Sequence, residues 1–169
     1  MEISLHIYRE NSMENQNLIH GVEVKKLVRH HDDRGFFEEL IRVTDPFFAE
    51  GFGQLSRSMM FSGVIKAWHI HKTQVDWWYC GKGTLKAVLY DKRQDSPTYK
   101  QLNEFTLGEN GEDIIVKIPP GVAHGCKVMG DTAELYYVTS KVYDPEEEGR
   151  VEHDDPEIGY DWLKHPPIK

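Results

Sequence analysis

Long apolar runs and cysteine are scarce in this sequence of 169 residues, and basic residues are outnumbered by acidic ones. No stretch approaches the roughly 20 consecutive apolar residues that a membrane-spanning helix needs, so we expect no membrane span. The first eleven residues lack a basic segment followed by an apolar run, and no signal peptide is expected. With 20 Lys and Arg against 28 Asp and Glu, the formal net charge is −8. This balance argues against a broad nucleic-acid-binding surface, although it allows a local basic pocket for one nucleotide.

The two cysteines, Cys80 and Cys126, have no metal-type spacing, and one pair in a chain of this length is no disulfide framework. We therefore expect two buried free thiols and a cytoplasmic location. The sequence also lacks internal repeats, low-complexity tracts and breaks in composition. These absences predict a single domain over residues 1–169, which is long enough to bury a core.

What the sequence has in abundance is short β-rich runs separated by turn residues. Gly81–Gly83 is typical of a hairpin turn, and Pro46–Glu50 and Pro145–Gly149 are predicted to form short helical turns. Residues 150–169 are expected to pack as a loop. This spacing predicts an all-β sandwich or barrel. The predicted strands are Val22–Val28, Phe36–Val43, Phe52–Met60, Val64–His71, Trp77–Cys80, Thr84–Tyr90, Ile114–Ile118 and Ala133–Tyr143.

Histidines recur in the predicted strand Val64–His71 and in a second segment that follows Ile118. His69 and His71 are two residues apart, so on a strand they share one face. In the second segment a Pro-Gly turn precedes His124. The two segments resemble the two cupin motifs, and the matching positions are Gly63, His69, His71, Asp76, Gly83, Pro119, Gly121 and His124. The resemblance implies a cupin-type double-stranded β-helix, a jelly-roll barrel, with Asp76 where cupins usually have Glu.

A more specific resemblance runs from about Val22 to Trp162. The chain is similar to the deoxythymidine-diphosphate-4-dehydrorhamnose 3,5-epimerases, a cupin family acting on nucleotide-linked 4-keto-6-deoxysugars. Family motifs match, in order, at Asp32–Glu39, Gln54–Ser58, Gly63–His69, Asp91–Thr98, Ile118–Gly125, Tyr137–Pro145 and Asp154–Trp162. The resemblance implies an isomerase of deoxysugar or polysaccharide biosynthesis that requires no cofactor.

The resemblance also implies a role for individual residues. His69 corresponds to the base that removes a proton next to the ketone, and Tyr137 to the acid that returns one to the other face. Neutral imidazole suits the first role, and a cation near the ketone oxygen stabilises the enolate. The substrate-binding set implied is Arg34, Phe37, Glu39, Gln54, Lys66, His124 and Tyr143. Of the adjacent pairs Tyr136–Tyr137 and Phe36–Phe37, only one member each is expected to face the lumen.

Three departures from the family keep alternatives open. The family's C-terminal Asp, which pairs with the catalytic His, has no counterpart here. Asp76 replaces a family Lys, and His71 stands at a position that is not His in the usual enzyme. His69, His71, Asp76 and His124 could therefore form the metal site of a metal-dependent cupin, although our leading interpretation needs no metal. A third possibility is a cupin that binds a nucleotide sugar without catalysis.

The resemblance further implies a homodimer in which N-terminal strands cross to the partner, because open sheet edges invite such pairing. The partners expected are thus a nucleotide-sugar substrate and a second copy of the chain, with no nucleic acid and no membrane.

Overall fold

A computed structural model describes residues 17–164 of the chain, and the terminal parts of the predicted domain, residues 1–16 and 165–169, lie outside it. The described part is almost entirely strand, with one 3-10 turn at Pro46–Phe48. Within it, no helix is long and apolar enough to cross a membrane. The strands are β1 (Glu23–Lys26), β2 (His30–Asp32), β3 (Gly35–Phe37), β4 (Gln54–Phe61), β5 (Ile65–His71), β6 (Asp76–Asp91), β7 (Leu102–Gly108), β8 (Ile114–Ile118), β9 (Val122–Thr139) and β10 (Glu148–Arg150).

Two long strands, β6 and β9, form the ribbon around which the barrel is built. They pair antiparallel from Asp76 opposite Thr139 to Asp91 opposite Val122. The outer partner of each strand changes along its length: β6 pairs first with β8 and then with β7, and β9 pairs first with β5 and then with β4. The ribbon therefore belongs to two sheets, one running β4-β9-β6-β8-β1 and the other β7-β6-β9-β5-β10. This is the predicted jelly-roll barrel.

The predicted hairpin turn at Gly81–Gly83 is wrong, because the chain continues through it as one strand. Lys82 and Gly83 pair with Glu134 and Ala133 on β9, and the register shifts on either side of this point. Gly83 has φ +71°, and a Cβ there would lie 2.0 Å from the Thr132 carbonyl oxygen. The glycines thus mark a bulged bend inside β6, where the ribbon passes from one sheet to the other.

Other boundaries also differ from the prediction. The run Phe36–Val43 is strand only to Phe37, and β9 begins eleven residues before the predicted Ala133. Of the two predicted helical turns, the first is present, while Pro145–Gly149 is a turn that leads into β10. Strands β7 and β10 were not predicted. Strand β10 has three residues, and β7 alternates buried with half-buried residues. The residue composition of these two segments is therefore only weakly typical of a strand.

The main core lies between the two sheets, and Leu85, Leu89, Leu107, Val122 and Val128 are fully buried in it. A second apolar cluster lies on the outer side of β5. There Ile158, Tyr160 and Trp162 from the C-terminal segment cover Trp68, with ring centroids of the two tryptophans 4.9 Å apart. The described part of this segment is irregular in conformation but well packed. Cys80 and Cys126 are buried free thiols, as predicted.

Strands β2 and β3 form a separate two-stranded hairpin, and all six of its strand residues are exposed. Its base is fixed to the barrel through Glu38, whose side chain is 8% exposed. The Tyr79 hydroxyl donates to one Glu38 oxygen at 2.6 Å, and the Arg29 guanidinium donates to the other at 3.1 Å. The hairpin, defined here as residues 30–37, therefore projects from a fixed point.

Candidate active site

A cavity of about 620 Å³ opens between the two sheets of the barrel. Its walls are formed by β4, β5, β6, β9 and the segment that contains β10. Six of the predicted site residues line it: Gln54, Lys66, His69, His124, Tyr137 and Tyr143. The fold thus brings together residues that are up to 89 positions apart in the chain.

A β-bulge places Lys66 and His69 on the same wall. They are three residues apart, so strict alternation would send their side chains to opposite faces. Lys66 pairs with Cys126 and His69 with His124, which makes three steps on β5 against two on β9. The extra residue restores a common face, and both side chains line the cavity. The Lys66 ammonium donates to the Ser58 hydroxyl at 2.7 Å.

Tyr136 and Tyr137 face opposite sides of β9, as alternation predicts. Tyr137 lines the cavity, whereas the Tyr136 hydroxyl donates to the Glu134 carboxylate at 3.0 Å, away from the cavity lining. The pair Phe36–Phe37 does not follow this arrangement. Phe36 and Phe37 are 50% and 63% exposed, so the expectation that one faces the lumen does not hold within the described chain.

Gln54 and Tyr143 are linked at the cavity mouth. The Tyr143 backbone N–H donates to the Gln54 side-chain carbonyl at 2.9 Å, and the Gln54 amide donates to the Ser56 hydroxyl at 3.0 Å. Tyr143 is 62% exposed. Gln54 therefore fixes the backbone that presents an open aromatic face at the entrance.

Behind His69 lies a buried cluster of His71, Asp76 and His124, whose ligand atoms lie within 4.8 Å of one another. Asp76 Oδ2 is 3.6 Å from His71 Nε2 and 3.9 Å from His124 Nε2. The Gln74 amide donates to Asp76 Oδ1 at 2.8 Å and lies 3.3 Å from His71 Nε2. His69, the fourth residue of the predicted metal set, is outside this cluster, with its ring 6.3 Å from that of His124.

Burial and charge act differently on these groups. Burial lowers the pKa of His124 to about 4, so its ring is neutral. Burial alone would also lower the pKa of His71, but the contact with Asp76 and its negative charge raise it. Burial would raise the pKa of Asp76, yet His71 and His124 lower it. Burial lowers the pKa of His69, which keeps this ring unprotonated at neutral pH.

Three predicted site residues, Arg34, Phe37 and Glu39, do not reach the cavity of their own chain. Arg34 and Phe37 belong to the exposed hairpin, where Arg34 makes a 2.6 Å ion pair with Asp32. Glu39 follows the hairpin and pairs with Arg42 beside a separate small pocket. Within residues 17–164, therefore, the predicted set divides into a barrel group and a hairpin group.

Several cavity residues escaped sequence reasoning. Glu148 and Arg150 of β10 lie opposite His71 and His69, and both line the cavity. Asp144, Glu147 and Glu152 add acidic groups to the same lining. The Glu-Gly-Arg sequence of β10 carries no strand pattern, so no sequence signal marks it. Gln74 and Trp78, which donate to Asp76 from two residues before and two residues after it, were missed although alternation along an extended chain places all three on one face.

Comparison with known proteins agrees with this geometry. The family model of dTDP-4-dehydrorhamnose 3,5-epimerase matches residues 16–169. The spore coat polysaccharide biosynthesis protein SpsL of Bacillus subtilis is 45% identical over 148 residues, covering 86% of this chain and 97% of that protein. The probable low-salt glycan biosynthesis epimerase Agl13 of Haloferax volcanii is 36% identical, covering 85% and 94%.

The crystal structure of a dTDP sugar isomerase from Desulfovibrio desulfuricans superposes with a TM-score of 0.80 at 28% identity, covering 86% of this chain and 92% of that one. The family match and the agreement in fold thus extend over most of the chain. This chain belongs to the dTDP-4-dehydrorhamnose 3,5-epimerase family of cupin-fold enzymes.

Proposed function

We propose that this chain epimerises a nucleotide-diphospho-4-keto-6-deoxyhexose at a carbon next to the ketone. The observation that carries the proposal is that His69 and Tyr137, a base and an acid of suitable chemistry, line one cavity from different strands. The family match and the similarity to a dTDP sugar isomerase support the substrate class. The similarity to SpsL and Agl13 supports a place in polysaccharide or glycan biosynthesis.

The reaction needs two proton transfers. The ketone acidifies the neighbouring C–H bond, and an imidazole nitrogen of His69 takes the proton while the electron pair forms an enolate. The Tyr137 hydroxyl then gives its proton to the opposite face of the carbon, and solvent restores both groups. Lys66, on the same wall as His69, supplies a positive charge near the developing enolate oxygen.

The remaining barrel residues bind the sugar nucleotide. Tyr143 offers an aromatic face at the mouth, held there by Gln54. His124 closes the inner end of the cavity, where it is 2% exposed. Among residues 17–164, the cavity lining has only Lys66 and Arg150 as Lys or Arg cations, against the carboxylates of Asp144, Glu147, Glu148 and Glu152 near the mouth. This balance is unfavourable for a diphosphate unless a further cation approaches.

We propose that the further cation is Arg34 of a second copy, in a homodimer whose hairpins cross between subunits. Arg34 has an exposed guanidinium that suits phosphate, and its own chain's cavity is out of its reach. Phe37 and Glu39 would accompany it into the partner's cavity. The anchored base of the hairpin supports this role, because it presents residues 30–37 in one direction. We also propose one domain over residues 1–169 and a cytoplasmic location, in keeping with the two free thiols.

The direct test is solvent deuterium exchange. Full-length protein is incubated in deuterated water with dTDP-4-keto-6-deoxyglucose, and NMR follows deuterium at C3 and C5. We expect exchange at one or both carbons, and the carbons labelled identify single or double epimerisation. His69→Ala should reduce the exchange rate about 100- to 10,000-fold, the usual contribution of a general base.

The matched control is His20→Ala, which removes an exposed imidazole far from the cavity lining and should leave the rate within about twofold. Binding of the nucleotide sugar without exchange in the native protein would replace the proposal with a non-catalytic binding function. Exchange that survives His69→Ala would remove His69 from the base role.

A further inference from the structure

The buried cluster of His71, Asp76 and His124 contains three atoms that offer lone pairs to one point. His124 Nδ1 is 3.0 Å from the Val122 carbonyl, which can only accept, so Nδ1 carries the ring hydrogen and Nε2 has a free lone pair. That Nε2 faces Asp76 Oδ2 at 3.9 Å. A carboxylate oxygen is also an acceptor, so no hydrogen bond joins these two atoms.

His71 shows the same pattern. The Gln74 amide nitrogen, which donates to Asp76, is 3.3 Å from His71 Nε2. A hydrogen on His71 Nε2 would therefore point at the Gln74 amide, which is itself a donor. A lone pair on His71 Nε2 can instead accept a hydrogen bond from that amide. The Trp78 indole N–H, 3.3 Å from Asp76 Oδ2, is one hydrogen that reaches this group of atoms. Three buried acceptors in close contact require a positive charge among them.

We propose that His71, Asp76 and His124 bind one first-row divalent transition ion through His71 Nε2, Asp76 Oδ2 and His124 Nε2. Two ligand atoms about 2.1 Å from a tetrahedral zinc ion lie about 3.4 Å apart. The distances from Asp76 Oδ2 to the two histidine nitrogens, 3.6 and 3.9 Å, are close to that separation. Two imidazoles and one carboxylate form a ligand set that such ions prefer over magnesium or calcium.

Groups around the cluster hold two of the three ligands, His124 and Asp76, in the binding orientation. The Val122 carbonyl fixes the His124 tautomer, and the Gln74 amide holds the second oxygen of Asp76. Outer contacts of this kind orient metal ligands. All three ligands line the cavity, so the remaining coordination positions of the ion are open to water or to a substrate oxygen.

The role of the ion rests on the proposed function, although its binding does not. Next to His69, a divalent ion would polarise the substrate ketone and stabilise the enolate. It would bind at Asp76, the residue that replaces a family Lys. The chain would thus have exchanged an ammonium group for a metal ion at one wall of the same cavity.

Metal binding can be measured without any substrate. Untagged full-length protein is stripped with a chelator, dialysed and titrated with zinc by calorimetry, and the expected result is one ion per chain. Asp76→Asn should weaken zinc binding more than about 100-fold, because loss of an outer contact alone costs about 10- to 100-fold. The matched control, His153→Gln, alters the exposed group Glu152, His153 and Asp154 and should leave the affinity unchanged.

Cobalt binding provides a second measurement. It uses the wild-type protein, so it does not depend on whether a variant folds. The wild-type protein loaded with cobalt should show the intense visible absorption of a four- or five-coordinate site. A spectrum identical to that of free aqueous cobalt would contradict the proposal, as would no stoichiometric zinc binding or binding lost in His153→Gln but kept in Asp76→Asn. In those cases a proton on His71 is the cation. Failure of deuterium exchange would leave the binding result intact, so the two proposals fail separately.

Discussion

The barrel and the hairpin present predicted site residues in opposite ways. On the barrel, six predicted residues converge on one cavity, because strands of the two sheets or a loop bonded to Gln54 hold them: Gln54, Lys66, His69, His124, Tyr137 and Tyr143. On the hairpin, Arg34 and Phe37 are exposed and touch nothing in the cavity. A single chain therefore brings together the proposed reacting groups His69 and Tyr137, while Arg34, the proposed phosphate-binding residue, is displayed outward. This difference supports the proposal that a second copy contributes part of the substrate-binding set.

The largest expected effect is on the stability of the barrel. Trp162→Ala should lower the free energy of unfolding by about 3–5 kcal/mol, because it removes a buried ring that packs on Trp68 behind the catalytic strand. Leu163→Ala, next in the chain but 78% exposed, should change it by less than about 0.5 kcal/mol. Chemical denaturation measures both, and equal effects would mean that the C-terminal segment does not support the barrel.

On the cavity wall, Tyr137→Phe should reduce epimerisation about 100-fold or more, since it removes one hydroxyl that serves as the acid. Tyr136→Phe is the matched change on the opposite face and should have an effect below about twofold. The carbon-bound proton should still be removed in Tyr137→Phe, so the expected signature is slower product formation with partial exchange retained. A fully active Tyr137→Phe protein would assign the acid role elsewhere.

Acid stability of the barrel should depend on Asp91, which is fully buried. Hydrogen bonds from Arg93, Ser96 and Thr98 lower its pKa, against the effect of burial. A lowered carboxyl pKa stabilises the fold above the unfolded value of about 4, and that contribution disappears as the pH falls towards the folded value. Asp91→Asn should therefore lose about 1.5–3 kcal/mol at pH 7 and show a flatter decline below pH 4. Thermal melts from pH 7 to pH 2 test this, and parallel pH profiles would contradict it.

On the hairpin, Arg34→Ala should leave stability unchanged and raise KM about tenfold, the loss of one exposed charged contact to phosphate. The sharper experiment coexpresses Arg34→Ala chains with His69→Ala chains. If the hairpin serves the partner's cavity, each mixed dimer has one intact site, and random pairing restores about a quarter of wild-type sites. Recovery no greater than that of the parent variants would place Arg34 and His69 in the same subunit's site.

Much of the fold could be predicted from the sequence. Alternation in Val64–His71 and the continuous β-branched run Ile114–Ile118 mark β5 and β8, because burial of one or both faces shows directly in the residue pattern. The length of β6 could not be predicted. Its glycines are typical of a hairpin turn, and only pairing with a similarly bent β9 keeps the chain extended through them.

The site, like the fold, has a part that the sequence predicted and a part that it did not. The order of motifs along the chain was enough to identify His69, Tyr137 and the other cavity residues, since each motif places a specific residue type at a fixed position on a strand. The cavity contribution of β10 depends on segments that meet only when the barrel closes, whereas the contacts of Gln74 and Trp78 with Asp76 are local and follow from alternation along the chain. Sequence by itself determined the family, the all-β fold and the residue types of the site. Only the tertiary structure decided which side chains share a cavity, because long-range pairing and the bulge at Lys66–His69 set the final direction of each side chain.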